Sequence, residues 1–155
     1  MYQEAVIASE AKQSQSRKDN PLERTLMIIK PDATERNLIG EILRRVEKSG
    51  FTIRALQMLR LPPERARTFY AVHEGKPFLD SLCRFMSSGP IVPMILEKNN
   101  AVADLRTLIG ATDPKKAACG TLRYDLAVDV EKNSVHASDS VENAVKEIGF
   151  FFKTE

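Results

Sequence analysis

The sequence predicts an α+β domain: a four-stranded antiparallel sheet with helices packed on one face. Two observations lead there. Short apolar or alternating runs suited to strands take turns with stripes of helical spacing, in the core order βαββαβ. A length of 155 residues with 43% hydrophobic and 28% charged residues suits one domain built on a single core.

The elements follow in order. Residues 1–22, "MYQEAVIASEAKQSQSRKDNPL", are polar and rich in Ser, Gln and Lys, and read as an N-terminal extension. Their apolar patch, Ala5 to Ala8, is too short for the core of a signal peptide. Thr25 to Pro31, "TLMIIKP", is a nearly continuous apolar run stopped by Lys-Pro, as in a buried strand. Asn37 is placed to cap a helix whose stripe is Leu38, Ile39, Ile42, Leu43 and Val46, ended by Gly50. Phe51 to Leu61 largely alternates and reads as one strand. Pro63 opens a helical piece reaching His73, and Pro77 opens another carrying Phe78, Leu82, Phe85 and Met86. Gly89 to Glu97 is the third strand, although Pro93 inside it requires an edge position or a bulge. Asn100 caps a helix that Gly110 ends, and Ala111 to Thr121 is a loop. Leu122 to Val130, "LRYDLAVDV", alternates cleanly as a fourth strand. Asp139 with Glu142 forms a capping box for a last helix, Ser140 to Ile148. The whole is the ferredoxin-like arrangement.

A net charge of +2 gives no broad field for nucleic acid or acidic membrane, so any anion site must be local. Cys83 and Cys119 have neither metal-binding nor redox spacing and fit a reduced, intracellular setting. No apolar run approaches the ~20 residues that span a membrane. Neither GxxxxGK[ST] nor GxGxxG occurs, so a nucleotide site would grip phosphate with side chains.

Candidate side chains are few. His136 is one of two histidines and lies between a strand and a helix cap. A lone histidine is more often structural, but loop positions on a rigid scaffold are common catalytic positions, and a neutral imidazole is a competent nucleophile near pH 7. His73, at a helix end, reads as a surface residue. Lys30, closing the first strand, can meet a phosphate as a point charge. Arg106 lies off the apolar stripe of its helix, and Arg123 on the polar parity of the fourth strand. Their guanidinium forks match phosphate oxygens. Each alone is more often a solvated charge.

Five ordered motifs bring these residues together: "ERTLMIIKPDA", "GEILRRVEKSGF", "KPFLDSLCRFMSSGP", "GTLRYD" and "NSVHASDSVENAVKEI". The chain from about Glu23 to Phe152 resembles nucleoside diphosphate kinase, whose active-site signature is N-x-x-H-x-S-D. The resemblance implies a domain at 23–155 that transfers the γ-phosphate of a nucleoside triphosphate, such as ATP, to a diphosphate, such as GDP. Transfer would be ping-pong, through phosphorylated His136. It further implies that Glu147 and Ser138 orient the imidazole and that Tyr70 lies close to it. Lys30, Arg106, Thr112 and Arg123 would hold phosphates, and Lys30 and Asn133 would reach the sugar. Phe78 would stack on the base, with Val130 lining the same slot. Mg²⁺ would be bound through the nucleotide phosphates without direct protein ligands. The resemblance also implies a cytoplasmic homotetramer or homohexamer built from dimers, with residues 111–121 helping the hexamer contacts. The short run to Glu155 favours a bacterial-type member.

The residues agree independently at two places. Glu147 shares a helix face with Asn143 and Ser140, looking back at the loop before it. Phe78 stands at a helix start, where an aromatic can border a cleft. Base stacking would discriminate weakly among bases. The sequence departs from the family pattern at Lys76, Pro93, Asp113 and Ala137. Two alternatives stand beside this reading. A non-catalytic nucleotide- or partner-binding relative would be expected to have lost part of the constellation, which is complete here. An RNA-recognition module shares the element order but would need an aromatic run on a central strand, and none is present.

Overall fold

The computed structural model describes residues 21–153, so most of the segment read as an N-terminal extension lies outside the described residues. The elements are β1 (Leu22–Ile29), α1 (Pro31–Glu35), α2 (Ile39–Lys48), β2 (Thr52–Leu56), β3 (Leu59–Arg60) and α3 (Pro63–Phe69). A 3₁₀ turn follows at Ala71–His73. Then come α4 (Leu79–Ser87), β4 (Pro90–Asn99), α5 (Ala101–Ile109), α6 (Leu122–Leu126), β5 (Val135–Ala137) and α7 (Val141–Phe151).

The sheet runs β2-β4-β1-β5, every pair antiparallel, with β3 also pairing β4. The βαββαβ order is therefore present, with the second strand split into β2 and β3. Pro93 accounts for the split. It sits mid-strand on β4, between β1 and β2, and has no N–H to donate. Opposite it the second strand breaks: β2 ends at Leu56 facing Met94, β3 begins at Leu59 facing Ile91, and Gln57 N–H donates to the Pro93 carbonyl at 3.2 Å.

Helices cover both faces of the sheet rather than one. Met27 and Ile29 of β1 point into a core with Ile42, Val46, Leu105 and Ile109. Leu26 and Ile28 point to the opposite face, into a core with Ala66, Tyr70, Leu79 and Met86. All four β1 side chains are fully buried, which explains why the strand reads as continuous rather than alternating. At about 25 cal/mol per Å² of apolar surface, each such aliphatic side chain contributes about 2 kcal/mol.

The largest correction concerns "LRYDLAVDV". Leu122–Leu126 is a helical turn, not a strand, capped by Thr121, whose Oγ1 accepts from Tyr124 N–H at 3.3 Å. The place beside β1 belongs to Val135–Ala137, with Ile28 opposite His136. His136 is thus on a strand, not in a loop. The expected caps also differ. Asn37 is left-handed (φ 59°) and Leu38 takes the N-cap position of α2. Asn100 holds the N-cap position of α5 but is left-handed and makes no side-chain capping bond; Glu23 on β1 accepts from Val102 N–H at 2.8 Å instead. Ser140, not Asp139, caps α7 through Asn143 N–H at 3.1 Å, and that helix runs three residues past the expected Ile148.

Candidate active site

The end of β1 and the adjoining β5 form the floor. Lys30 N–H donates to Ser134 O at 2.9 Å, which fixes the point where the two chains part. His136 shares the face of Ile28, and its ring edge meets Phe69 at 5.4 Å and Tyr70 at 6.3 Å between centroids. Its Nε2 is hydrogen-bonded to Oε1 of Glu147 on α7. A carboxylate can only accept, so the hydrogen belongs on Nε2 and Nδ1 keeps its lone pair. The two side chains are 22% and 17% exposed, so solvent screens the pair weakly. Ser138 is buried one turn of strand away. Its Oγ has no hydrogen-bond partner among the described residues, so the expected Ser138 bond to the His136–Glu147 pair is not formed. The Tyr70 hydroxyl is likewise buried without a partner, and burial pushes its ionisation well above the ordinary tyrosine range, with Glu147 adding to the effect.

Asn133 is the hub beside the histidine. Buried, it accepts from Lys30 Nζ at 2.8 Å and donates through Nδ2 to Thr112 O at 3.1 Å and Val130 O at 3.0 Å. One amide therefore gathers the lysine, the 111–121 loop and the turn before β5. Lys30 Nζ also donates to Glu131 O at 3.4 Å and lies 6.0 Å from the Phe85 ring centroid. Its pKa is lowered to about 8, chiefly by burial and secondarily by the Arg123 charge, with Asp32, Glu131 and Asp129 opposing the fall.

Arg123 does not lie on the polar side of a strand. It is buried on α6, where it donates to Gly110 O at 3.0 Å and Val135 O at 2.8 Å. Burial, and secondarily the Arg106 charge, bring it down to about 10. Arg106 is exposed on α5, and the field it exerts on both Arg123 and Asp139 marks the three as neighbours. Phe78, 46% exposed, stands at the N-cap position of α4, and Val130 is 55% exposed on the turn before β5. His73 is half-buried rather than a plain surface residue: its ring stacks on Tyr70 at 6.2 Å and meets Phe78 edge-on at 5.2 Å.

Several supporting residues were not legible in the sequence. Phe69 reads as one more position of a helical stripe, yet it wedges between His136 and the Phe150 and Phe151 rings, both at 5.2 Å. Ser134 is left-handed (φ 74°), an uncommon state for a residue with a Cβ. Its hydroxyl donates to buried Asp32 at 3.2 Å and accepts from Arg36 at 3.3 Å, which holds the strained residue two positions before the histidine. Only "KPDATER" hinted at this, by placing Asp32 and Arg36 four apart.

Among the described residues no three His, Cys, Asp or Glu side chains converge to hold a metal ion. Lys30, Arg123 and Arg106 are successive cationic neighbours, Arg123 acting on Lys30 and Arg106 on Arg123.

Fold and site together define an α+β protein with one oriented histidine on the strand beside a buried lysine and arginine. The family model for nucleoside diphosphate kinase matches residues 23–155. A nucleoside diphosphate kinase of Desulfatibacillum aliphaticivorans is 56% identical over 131 residues, 84% of this chain and 95% of that protein. One of Salinibacter ruber is 55% identical over 130 residues, 84% of this chain and 92% of its own. Among solved structures, the Aquifex aeolicus nucleoside diphosphate kinase superposes with a TM-score of 0.84 at 46% identity, covering 86% of this chain and 96% of that one. A halophilic nucleoside diphosphate kinase from Halobacterium salinarum, in complex with CDP, gives 0.82 at 40% identity, with 85% and 88% covered. The chain belongs to the nucleoside diphosphate kinase family: it is a kinase, and the family's activity depends on a divalent metal ion. Among the described residues no helix is long and apolar enough to cross a membrane.

Proposed function

We propose that this chain moves the γ-phosphoryl group of a nucleoside triphosphate to a nucleoside diphosphate by way of His136 Nδ1. The observation that carries the reading is the Glu147 carboxylate on His136 Nε2, which fixes the tautomer and leaves Nδ1 as the nucleophile. In the first half-reaction Nδ1 forms a bond to the γ-phosphorus, the bond to the bridging oxygen breaks, and the diphosphate leaves. Imidazolium-like charge building on the ring is stabilised by Glu147. In the second half-reaction a terminal oxygen of another diphosphate takes the group from Nδ1. One phosphoanhydride replaces another, so the equilibrium constant lies near one.

Lys30, Arg106, Arg123 and Thr112 hold the phosphates, and these cations offset charge on the transferring group. Lys30 and Asn133 serve the sugar hydroxyls, and Phe78 with Val130 takes the base. CDP in the halobacterial relative supports a nucleoside diphosphate as ligand here. Mg²⁺, carried by the phosphates, would supply further neutralisation of their charge. Tyr70 and Phe69 wall the imidazole. Ser138, buried beside it, is assigned to shaping the strand end.

Residues 23–155 form the kinase domain in this reading, with 1–22 an extension. We assign the protein to the cytoplasm, as a homotetramer or homohexamer of dimers. The unpaired Cys83 and Cys119 agree with a reducing compartment, and light scattering decides between four and six subunits.

The test is direct. Pure protein is incubated with γ-labelled ATP and Mg²⁺, and protein-bound phosphate is assayed for acid lability and alkali stability. Label that moves to GTP on addition of GDP, and that His136→Ala loses while keeping its thermal transition, is the expected result. Full exchange in His136→Ala would overturn the mechanism.

A further inference from the structure

A side-chain hydrogen bond joins the 128–133 turn to α4: Ser81 Oγ donates to Glu131 Oε1 at 3.0 Å, fifty residues apart in sequence and half-buried. Its position matters more than its strength. Ser81 lies three residues beyond Phe78, so the two stand on one face at the start of α4. Glu131 directly follows Val130. The bond therefore joins the element that carries Phe78 to the element that carries Val130.

The turn itself is rigid. Asp129 Oδ1 accepts from Glu131 N–H at 2.9 Å and Lys132 N–H at 2.7 Å, and Val128 N–H donates to Lys132 O at 2.8 Å. Behind it, Asn133 holds the Val130 carbonyl, and the Glu131 carbonyl accepts from Lys30. On the opposite side, α4 buries Leu79, Cys83 and Met86 in the core. Each wall is firm, and Ser81–Glu131 sets the distance between them.

We propose that Ser81 and Glu131 are positioning residues that fix the width of the nucleobase slot between Phe78 and Val130. This rests on the proposed function only in taking that slot as the base site. Stacking needs a gap of two van der Waals contacts, and a slot free to widen would lose part of the contact on one side. The brace touches neither base nor phosphate, so its loss weakens the part of the ligand that carries a ring and spares the part that does not.

The experiment compares ADP with inorganic pyrophosphate as ligands of the full-length protein, by calorimetry with Mg²⁺, in wild type, Ser81→Ala, Ser81→Thr, Glu131→Ala and the Ser81→Ala/Glu131→Ala double variant. Removing one half-buried hydrogen bond should raise the Kd for ADP by about three- to tenfold. The expected pattern is that rise in each Ala variant, no further rise in the double variant, recovery in Ser81→Thr, and a pyrophosphate Kd that does not move in Ser81→Ala; because the Glu131 charge also acts on Lys30, the two proteins carrying Glu131→Ala are read as the ratio of ADP to pyrophosphate affinity. An unchanged ADP Kd in Ser81→Ala, additive effects in the double variant, or an equal loss for pyrophosphate would each overturn the brace. Failure of the parent reading looks different: wild-type protein that binds ADP but forms no phosphohistidine removes the kinase mechanism and leaves this comparison intact.

Discussion

Lys30 gives a prediction whose size can be worked from the structure. Its ammonium is buried at the end of β1, with one strong acceptor in Asn133 Oδ1 and the Arg123 charge nearby. Its pKa is accordingly about 8 in the folded chain, against an ordinary value of 10.5. Between those two pH values the unfolded chain keeps the proton and the native chain has released it. The unfolded state binds more protons, so stability rises with pH across the window. At about 1.4 kcal/mol per pH unit for one proton, the rise approaches about 3 kcal/mol by pH 10.5 and is about 2 kcal/mol by pH 9.5. Arg123, lowered to about 10, adds its own rise only above that pH. Tyr70 acts oppositely. Its native ionisation is raised, so the stability it contributes is complete below pH 10 and lost above it. Cys83, whose thiol burial raises, also acts oppositely above its ordinary value of 9.0, but it is common to both proteins and cancels in their difference, so pH 8 to 9.5 is the interval to use. Urea unfolding of wild type and Lys30→Met at pH 7.5, 8.5 and 9.5 reads the effect. Met keeps the aliphatic stem and removes the titration. It also leaves Asn133 Oδ1 without its donor, which shifts the whole curve but not its slope. The difference between the two slopes should be about 1 kcal/mol per pH unit, with wild type gaining as pH rises. Parallel curves would refute the claim that Lys30 is held charged at a cost in the folded protein. The cost has a functional reading: a desolvated ammonium has no water to give up when phosphate arrives.

Two further variants test the scaffold around the histidine. Glu147→Ala removes a charge-assisted, weakly screened bond and should slow phosphohistidine formation by about 10- to 100-fold in rapid-quench measurements, with Glu147→Gln recovering part; a wild-type rate in Glu147→Ala would refute the tautomer argument. Gly110 has φ +87°, its carbonyl anchors Arg123, and an added Cβ would lie 2.5 Å from Thr121 Oγ1. Gly110→Ala should therefore lose about 1–3 kcal/mol in urea unfolding and displace Arg123, raising the KM for nucleotides, whereas a change under about 0.5 kcal/mol would show that the loop relaxes freely.

Much of the site was legible because its chemistry needs particular side chains at strand and helix ends. Lys30, His136 and Arg123 stood out by residue type and position, Asn133 and Glu147 through the family resemblance, and the fold joins Lys30 to Asn133 and His136 to Glu147 by side-chain hydrogen bonds. Their surroundings were less legible. Arg123 was expected on a strand because Leu122, Tyr124, Leu126, Val128 and Val130 alternate. Only Leu122 of the five is fully buried, and Tyr124, Val128 and Val130 are exposed, so the alternation reported no buried face. The true partner of β1 is three residues long, too short for periodicity to mark against its neighbours.

The sequence by itself determined the order of elements, the continuous burial of β1, an irregularity at Pro93 and the residue types that carry phosphate chemistry. These follow from local properties: apolar period, a missing N–H, the charge and basicity of single side chains. Tertiary structure decided the rest: that β5 and not Leu122–Val130 lies beside β1, that Glu23 caps α5 from another strand, that helices cover both faces, and which nitrogen of His136 meets Glu147. Each of those depends on which groups far apart in the chain compete for one position in space, and the free energy of that competition resides in packing and hydrogen bonds that no single segment contains.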